Sequence, residues 1–314
     1  MEEFIPIALA VADLPTDNFT VEPLGRQAVN ATYMIRFPSD DRYIVRLYRW
    51  PFDGSDELDR PTKEAWLADV LQHHGIPAAR VLARVETPAG TTVVLTYLPG
   101  VPLGDLPEMY DDAWFSVGHA LARVHGMQVS DGRAGVISGR RVRPFPEGSW
   151  GCWQLANAVA HCDRIVSRDE YQLDAGRVRA IFQKAVPLLD SRPVRLLHND
   201  PHPWNVIVEQ GNSGWTCTGW LDWEFAWAGD PAWDLARLDI FRSIDIGPTP
   251  ASFYSGYGSG PAPVVSELYE LAILLWMSNE AATGDQQLLP TYQRAHHYLQ
   301  QAPVVLTHLE DLLN

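Results

Sequence analysis

The amino-acid sequence predicts an α+β fold, in which a small lobe of antiparallel strands precedes a larger and mainly helical lobe. Short β-prone runs separated by turn residues fill the first hundred residues, whereas apolar residues recur at helical spacing after Pro99-Gly100. The length of 314 residues allows two lobes, each with a core of its own. We expect an N-terminal lobe at 1–98 and a C-terminal lobe at 99–314, with the functional site in the cleft between them.

The first lobe is expected to contain two helices and five strands. An amphipathic helix is predicted over Phe4–Ala12, and a second helix runs from Pro61 to His74, since proline is favoured in a first turn and Gly75 ends the pattern. Turn residues separate the β-prone runs, which favours consecutive antiparallel strands. The predicted strands are Phe19–Leu24, Ala31–Phe37, Arg42–Tyr48, Arg80–Glu86 and Thr91–Leu98.

The second lobe is dominated by helical patterns. In Asp111–Met127, apolar residues recur at helical spacing, at Trp114, Val117, Leu121 and Val124. Three β-prone runs interrupt the helical region further along the chain. They are Val194–Leu197, Val206–Val208 and Trp215–Leu221.

Composition and charge narrow the classes of partner. The net charge of −15 argues against nucleic acid, because phosphates would be repelled, and it is compatible with a cationic small molecule. Acidic residues precede the first apolar stretch, and the apolar run Leu271–Met277 is too short to span a membrane. The three cysteines are not spaced as a disulfide framework or a zinc ribbon. We therefore expect a cytoplasmic protein with no membrane partner, and the oligomeric state stays open.

Polar residues concentrate in the loop between the first two of these β-prone runs, which reads HNDPHPWN from His198 to Asn205. Its Asp200 and Asn205 present a carboxylate and a carboxamide, which can orient a hydroxyl and coordinate Mg²⁺, respectively. Asp222 follows the third run and supplies a second hard oxygen ligand. The order and spacing of these residues match a phosphoryl-transfer site.

Two motifs resemble those of the aminoglycoside phosphotransferase and choline kinase group, which are relatives of the protein kinases. HNDPHPWN is similar to the catalytic loop of that group, and WLDWEFAWAGDPAWDLA, which begins at Trp220, is similar to its metal-binding segment. The resemblance covers roughly residues 20–240 and implies a bilobal, protein-kinase-like fold that uses ATP and Mg²⁺. It further implies that Asp200 is the catalytic aspartate, that Asn205 and Asp222 bind Mg²⁺, and that His198 and Asp234 brace the loop.

The resemblance also implies a cation on a strand, paired with a glutamate on a helix. Arg46 lies in a predicted strand, whereas Lys63 and Lys184, the chain's two lysines, do not. Glu64 shares the apolar face of the predicted helix with Leu67, at an offset of three residues, so it needs a buried partner. We expect Arg46 to contact the nucleotide phosphates and Glu64 to hold it. Lysine is the commoner residue there, but a guanidinium can also grip phosphate and carboxylate. An exposed arginine on the sheet is the alternative.

Two further segments are expected to bind the nucleotide. The turn LGRQAVNATY, with Gly25 and Asn30, lies between the first two predicted strands, where the resemblance implies a phosphate-covering turn. LTYLPG is similar to the family's lobe linker, which implies that Thr96, Tyr97 and Leu98 contact adenine.

Several alternatives stay open at this stage. His198, Asp200 and His202 alternate as His-x-Asp-x-His, which is the pattern of a metallohydrolase, and a nucleotide-binding module without activity is a third possibility. Six tryptophans near the motifs favour core packing, although with Glu224 they also fit an aromatic cage for a quaternary ammonium. These tryptophans are Trp204, Trp215, Trp220, Trp223, Trp227 and Trp233.

The sequence as a whole predicts an enzyme that moves the γ-phosphoryl group of ATP to a hydroxyl of a small molecule. An aminoglycoside, another aminosugar or antibiotic, choline or a related amino alcohol, and an ordinary metabolite all stay open as the acceptor. The acidity of the chain favours a cationic acceptor. The sequence does not distinguish ATP from GTP.

Overall fold

The computed structural model describes residues 3–24, 30–48, 60–107, 110–168, 171–245, 249–281 and 289–314. The chain divides into two compact units. The first unit comprises Met1–Val101, Ser138–Arg141 and Val206–Glu224. The second comprises Pro102–Ile137, Val142–Asn205 and Phe225–Asn314.

Helices and strands of both units follow each other along the chain. The helices are α1 (Phe4–Val11), α2 (Arg60–His73), α3 (Asp111–His125), α4 (Trp150–Val166), α5 (Ala175–Asp190), α6 (Ala232–Asp245), α7 (Ala251–Tyr257), α8 (Pro263–Ala281), α9 (Leu289–Gln300) and α10 (Ala302–Leu312). The strands are β1 (Thr20–Leu24), β2 (Ala31–Arg36), β3 (Arg42–Leu47), β4 (Val81–Thr87), β5 (Gly90–Thr96), β6 (Val101–Pro102), β7 (Gly135–Ser138), β8 (Arg141–Pro144), β9 (Arg195–Leu197), β10 (Val206–Gly211), β11 (Gly214–Trp220) and β12 (Trp227–Gly229).

A five-stranded antiparallel sheet in the order β1-β2-β3-β5-β4 forms the centre of the first unit. Its core side carries buried residues such as Ile35 and Val45, which cluster with Ile5 and Leu9 of α1. Because side chains alternate along a strand, Arg46 lies on the opposite face from its neighbour Val45. β3 is flanked by β2 and β5, so Arg46 is held in an interior strand rather than at an edge.

The first unit also contains the β10–β11 hairpin, whose register shifts between Ile207 and Val208. The hairpin packs closely on the linker after β5: the side chain of Leu98 lies where a Cβ on Gly219 would stand, and Thr218 Oγ1 donates to the Pro99 carbonyl at 2.7 Å. β11 ends at Trp220, directly before Asp222. The hairpin therefore delivers Asp222 to the first unit.

The second unit is mainly helical around one apolar core. Its small sheet has the order β8-β7-β12-β9, and β12 pairs antiparallel with both β7 and β9. Core residues on α4, α5, α8, α9 and α10 include Cys162, Phe182, Leu274, Leu299 and Leu306, all with no exposed area. Within the described ranges, no helix combines the length and apolarity that a bilayer crossing requires.

The predicted helices and strands are present, with ends that differ by one to a few residues. α3 ends at His125 rather than at Met127, because Gly126 caps it, and β5 ends at Thr96 rather than at Leu98. β6, β7, β8 and β12 were not predicted. Each has two to four residues, which is too few for an alternation of apolar and polar residues to be recognised.

Candidate active site

Arg46 forms the centre of a charged cluster in the first unit. Its Nη1 donates to Glu64 Oε1 at 3.3 Å, and its Nη2 donates to Asp222 Oδ1 at 2.5 Å. The same Nη2 lies 3.6 Å from Glu224 Oε1, and the guanidinium stands over the ring of Tyr48 at 5.2 Å. The Arg46 side chain is 14% exposed. The expected pair with Glu64 is therefore present, and the alternative of an exposed arginine on the sheet is wrong.

Acidic side chains are in excess over arginines in this cluster. Although burial lowers the pKa of Arg46, the carboxylates of Asp222, Glu64 and Glu224 raise it above its ordinary value. Burial raises the pKa of Glu64 to about 8, Asp222 and Glu224 add to that rise, and Arg46 opposes it. Burial and the charge of Asp222 likewise raise the pKa of Glu224. A divalent cation bound to Asp222 would relieve this excess, so the donor chemistry fits Mg²⁺.

Glu224, Arg60 and Asn30 complete the cluster. Glu224 is 3% exposed, lies 3.6 Å from Arg60 Nη1, and accepts from Asn30 Nδ2 at 3.1 Å. Sequence reasoning missed Arg60 and considered Glu224 only as the acid of an alternative aromatic cage. Two arginines and an amide contact its carboxylate instead. The sequence did contain a sign that Glu224 is buried with a partner: it lies two residues after Asp222, between two large aromatic residues.

The remaining predicted nucleotide contacts have mixed outcomes. Gly25 lies outside the described residues, and Asn30 lies directly before β2. The backbone N–H of Thr96 donates to the Arg80 carbonyl at 2.9 Å, so this donor is not available to adenine. Arg42 stands over the ring of Tyr97 at 5.5 Å. Leu98 packs at Gly219, as described above, so its side chain supports the hairpin.

In the second unit, the loop after β9 presents Asp200 and Asn205 together. Asn205 Nδ2 donates to Asp200 Oδ2 at 2.9 Å and to the Asp200 carbonyl at 3.0 Å. Because both donations use the amide nitrogen, the Oδ1 of Asn205 stays available as a ligand for a hard cation. The side chain of Asp200 is 26% exposed.

Asp234 holds this loop from the first turn of α6. Its two oxygens accept from the backbone N–H groups of His198, at 2.7 Å, and Asn199, at 2.9 Å. His125 Nε2 lies 3.1 Å from Asp234 Oδ2, and His125 Nδ1 lies 2.8 Å from the Tyr257 hydroxyl. Asn199 has a φ of 62°, a conformation in which these extra contacts help to hold the backbone.

The histidines of the loop do not converge with Asp200 on one point. His198 is fully buried, and its Nδ1 accepts from the Asp200 backbone N–H at 3.2 Å. His202 instead stacks on the indole of Trp204, with ring centroids 4.6 Å apart. The described residues contain no group of three or more histidine, cysteine, aspartate or glutamate side chains that could hold a metal ion. The loop geometry therefore contradicts the metallohydrolase alternative.

The six tryptophans range from buried to exposed, and Trp215 and Trp227 are half-buried. Trp220, Trp223 and Trp233 are at most 5% exposed, as expected for core packing. Trp204 is 37% exposed and donates from Nε1 to Asp105 Oδ1 at 2.8 Å. Its ring lies where a Cβ on Gly104 would stand.

Comparison with known proteins identifies the family of the chain. The family model described as the phosphotransferase enzyme family matches residues 20–264. A search of curated proteins found no match.

Several solved structures share the fold at low sequence identity. A thermostable mutant of aminoglycoside phosphotransferase APH(4)-Ia, in a ternary complex with AMP-PNP and hygromycin B, is 16% identical, with 98% of each chain covered and a TM-score of 0.67. A fructosamine-3-kinase described as putative, from Haemophilus somnus 129PT, is 14% identical, with 94% of this chain and 96% of that chain covered and a TM-score of 0.63. The GDP and kanamycin complex of APH(2")-IIIa is 16% identical, with 97% and 99% covered and a TM-score of 0.63. The predicted fold class, α+β and protein-kinase-like, is thereby confirmed.

Proposed function

The chain belongs to the phosphotransferase enzyme family, and from that premise we propose that it transfers the γ-phosphoryl group of ATP to a hydroxyl of a small molecule. The observation that carries this proposal is the set of contacts made by Arg46. Its two terminal nitrogens contact Glu64 and Asp222 separately. This arrangement fits a cation that steadies nucleotide phosphates beside a metal-binding carboxylate.

Asp200 is the residue that we assign to the acceptor hydroxyl. Its carboxylate is partly exposed, and the amide of Asn205 holds it. The Asp200 carboxylate is therefore oriented to accept a hydrogen bond from the acceptor hydroxyl. Since the transition state of phosphoryl transfer is loose, orientation of the hydroxyl contributes at least as much as removal of its proton.

Asn205 Oδ1 and Asp222 Oδ2 are the oxygens that would hold Mg²⁺. The bound ion would neutralise charge on the phosphates. The residues of the chain have complementary tasks: Arg46 contacts the phosphates, Glu64 holds Arg46, and Asn205 keeps the Asp200 carboxylate in place. Asn30, Tyr97, Leu98 and the Thr96 carbonyl remain the candidates for further nucleotide contacts.

For the acceptor, we propose a hydroxylated amine, with an aminated sugar such as an aminoglycoside as the first candidate. The net charge of −15 favours a cationic substrate by long-range attraction. Two structural neighbours are complexes with hygromycin B and kanamycin. Choline or ethanolamine is the second candidate, because it is also a cationic alcohol.

The test is a panel of aminoglycosides, glycated amines, choline and ethanolamine, screened for acceptor-dependent release of ADP. We expect at least one hydroxylated amine to raise ADP release well above the rate with ATP alone. GTP, run in parallel, determines the nucleotide. If neither nucleotide gives acceptor-dependent release with any member of the panel, the acceptor class proposed here is wrong.

A further inference from the structure

Arg237 lies behind the loop that carries Asp200. It is on α6, three residues after Asp234, so both side chains leave nearly the same face of the helix. Arg237 Nη2 is 3.7 Å from Asp200 Oδ1. The same helix therefore contacts the loop twice, through the backbone with Asp234 and through the Asp200 side chain with Arg237.

The Arg237 side chain is buried and packs against an aromatic ring. Its side chain is 9% exposed, compared with 26% for Asp200, so the arginine lies on the protein side of the carboxylate. The guanidinium stands over the ring of Trp276 on α8, 4.9 Å from the ring centroid. Burial lowers the pKa of Arg237, whereas the carboxylates of Asp200 and Asp234 raise it. Cations are rarely buried to this degree without a carboxylate partner, because desolvation is costly.

From these contacts we propose that Arg237 is a positioning residue, which fixes the Asp200 carboxylate in the orientation that receives the acceptor hydroxyl. Arg237 contacts Oδ1 and Asn205 contacts Oδ2, so both oxygens of Asp200 have a partner on the protein side. The rotation that would turn the carboxylate away from the substrate is thereby restricted. Trp276 in turn restricts the guanidinium, since the aromatic face favours one placement of the cation. This inference rests on the proposed function, because it assigns Arg237 a task only if Asp200 is the catalytic residue.

A kinetic double-mutant cycle tests the proposal. In the full-length enzyme with ATP, Mg²⁺ and the best acceptor of the panel, Arg237→Gln should lower kcat by about 10- to 100-fold with the KM for ATP unchanged, as expected for a lost orienting contact. Arg237→Lys should recover part of kcat, since it keeps the charge but not the planar fork. In the Asp200→Ala background, Arg237→Gln should cause no further loss, because the group that it positions is gone.

A control variant shows whether the loss of kcat is specific to Arg237. Arg192→Gln removes another arginine of the same unit, which pairs with Asp230 at 2.9 Å, and should leave kcat nearly unchanged. Equal losses from Arg237→Gln in the wild-type and Asp200→Ala backgrounds would overturn the proposal, as would a loss confined to the KM for ATP.

A double-mutant cycle of urea unfolding on the same variants measures the coupling energy between Arg237 and Asp200, and it does not require enzymatic activity. Arg237→Gln should destabilise the Asp200→Ala protein less than the wild-type protein. If wild type transfers no phosphoryl group, the proposed function fails, and the unfolding cycle still decides whether Arg237 holds Asp200. Equal destabilisation in both backgrounds would contradict that contact. If Arg237→Gln does not fold, Arg237→Lys takes its place in both cycles.

Discussion

Arg46 and Asp222 are joined by a 2.5 Å hydrogen bond, although they are 176 positions apart in the sequence. The bond links an interior strand of the sheet to the end of the β10–β11 hairpin. It also binds the candidate phosphate-contacting cation to the candidate metal ligand. The same guanidinium contacts Glu64 through its other terminal nitrogen, so Glu64 and Asp222 together fix its orientation.

Replacement of Arg46 tests whether the planar fork is needed. Arg46→Lys keeps one cationic nitrogen and cannot reach both carboxylates in the same geometry, so the KM for ATP should rise by about 10-fold, the equivalent of about 1.4 kcal/mol. Arg46→Met should raise it further. Steady-state kinetics with varied ATP measures both. Arg36→Met, which replaces an exposed arginine at the end of the neighbouring strand β2, is the control. Unchanged KM in Arg46→Met would remove Arg46 from the nucleotide site.

Removal of the Asp222 carboxylate should weaken the use of Mg²⁺. In Asp222→Asn, the concentration of Mg²⁺ for half-maximal activity should rise by about 10-fold or more, since loss of a charged oxygen ligand reduces affinity for a hard cation. A Mg²⁺ titration at saturating ATP measures this. Glu209→Gln removes an exposed acid of the same hairpin and should behave like wild type. An identical Mg²⁺ dependence in Asp222→Asn and wild type would rule out the carboxylate as a ligand.

Close packing of α3 against α7 supports the loop that carries Asp200. A Cβ on Gly256 would overlap the Phe115 carbonyl oxygen, and Tyr257, the next residue, bonds the histidine that contacts Asp234. Gly256→Ala should lower the free energy of unfolding by about 1–3 kcal/mol, as overpacking does, and should lower kcat as well. Urea unfolding and kinetics measure the two effects. Ser255→Ala, at an exposed neighbour, should stay within about 0.5 kcal/mol of wild type. Equal stability of the two variants would contradict the close packing of α7 on α3 at Gly256.

His161 should make stability depend on pH. Arg168 Nη1 donates to Asn279 Oδ1 at 2.8 Å, which turns the amide nitrogen of Asn279 towards His161 Nδ1, at 3.2 Å. That ring nitrogen must then accept, so the imidazole is neutral. Burial, together with the charge of Arg164, lowers the pKa of His161 to about 4.

Since the folded pKa lies below the ordinary value of 6.5, protonation favours the unfolded chain. Stability is therefore full above about pH 6.5 and falls as the pH decreases towards 4. His161→Gln can still accept from Asn279 and does not titrate, so its free energy of unfolding should fall less over this range. Urea unfolding at a series of pH values tests this, with the exposed His73→Gln as the control. Parallel curves for wild type and His161→Gln would exclude the proposed titration.

The sequence alone predicted much of the fold and part of the site. Strands β1 to β5 follow from alternating β-prone residues and turn signals. The Arg46–Glu64 pair followed from the family resemblance, together with a carboxylate on an apolar helical face. Asp200 and Asn205 were predicted together because they lie five positions apart in one loop, which resembles the catalytic loop of the family. These features depend on residues that are close in the sequence, on one strong local pattern, or on the resemblance to the family.

Contacts between distant segments were not predictable in the same way. Arg60 and Arg237 are charged residues that local patterns assign to the surface, yet both are at most 8% exposed, and each contacts a carboxylate from another segment. The sequence around Glu224 likewise showed an acid between aromatic residues and did not indicate its two arginine partners. Burial of a charge is decided by the tertiary partner that compensates it, and a linear pattern carries no information on that partner.

The most direct test follows the phosphoryl group itself. ATP labelled at the γ-phosphate is incubated with Mg²⁺, the best acceptor, and wild type, Asp200→Ala or the exposed-loop control Asp131→Asn, and label on the acceptor is measured over time. We predict transfer by wild type and by the control, and a rate lower by about 10²-fold or more in Asp200→Ala, the range for a positioned base, with ATP still bound. Label transfer by Asp200→Ala at a near wild-type rate would contradict the account.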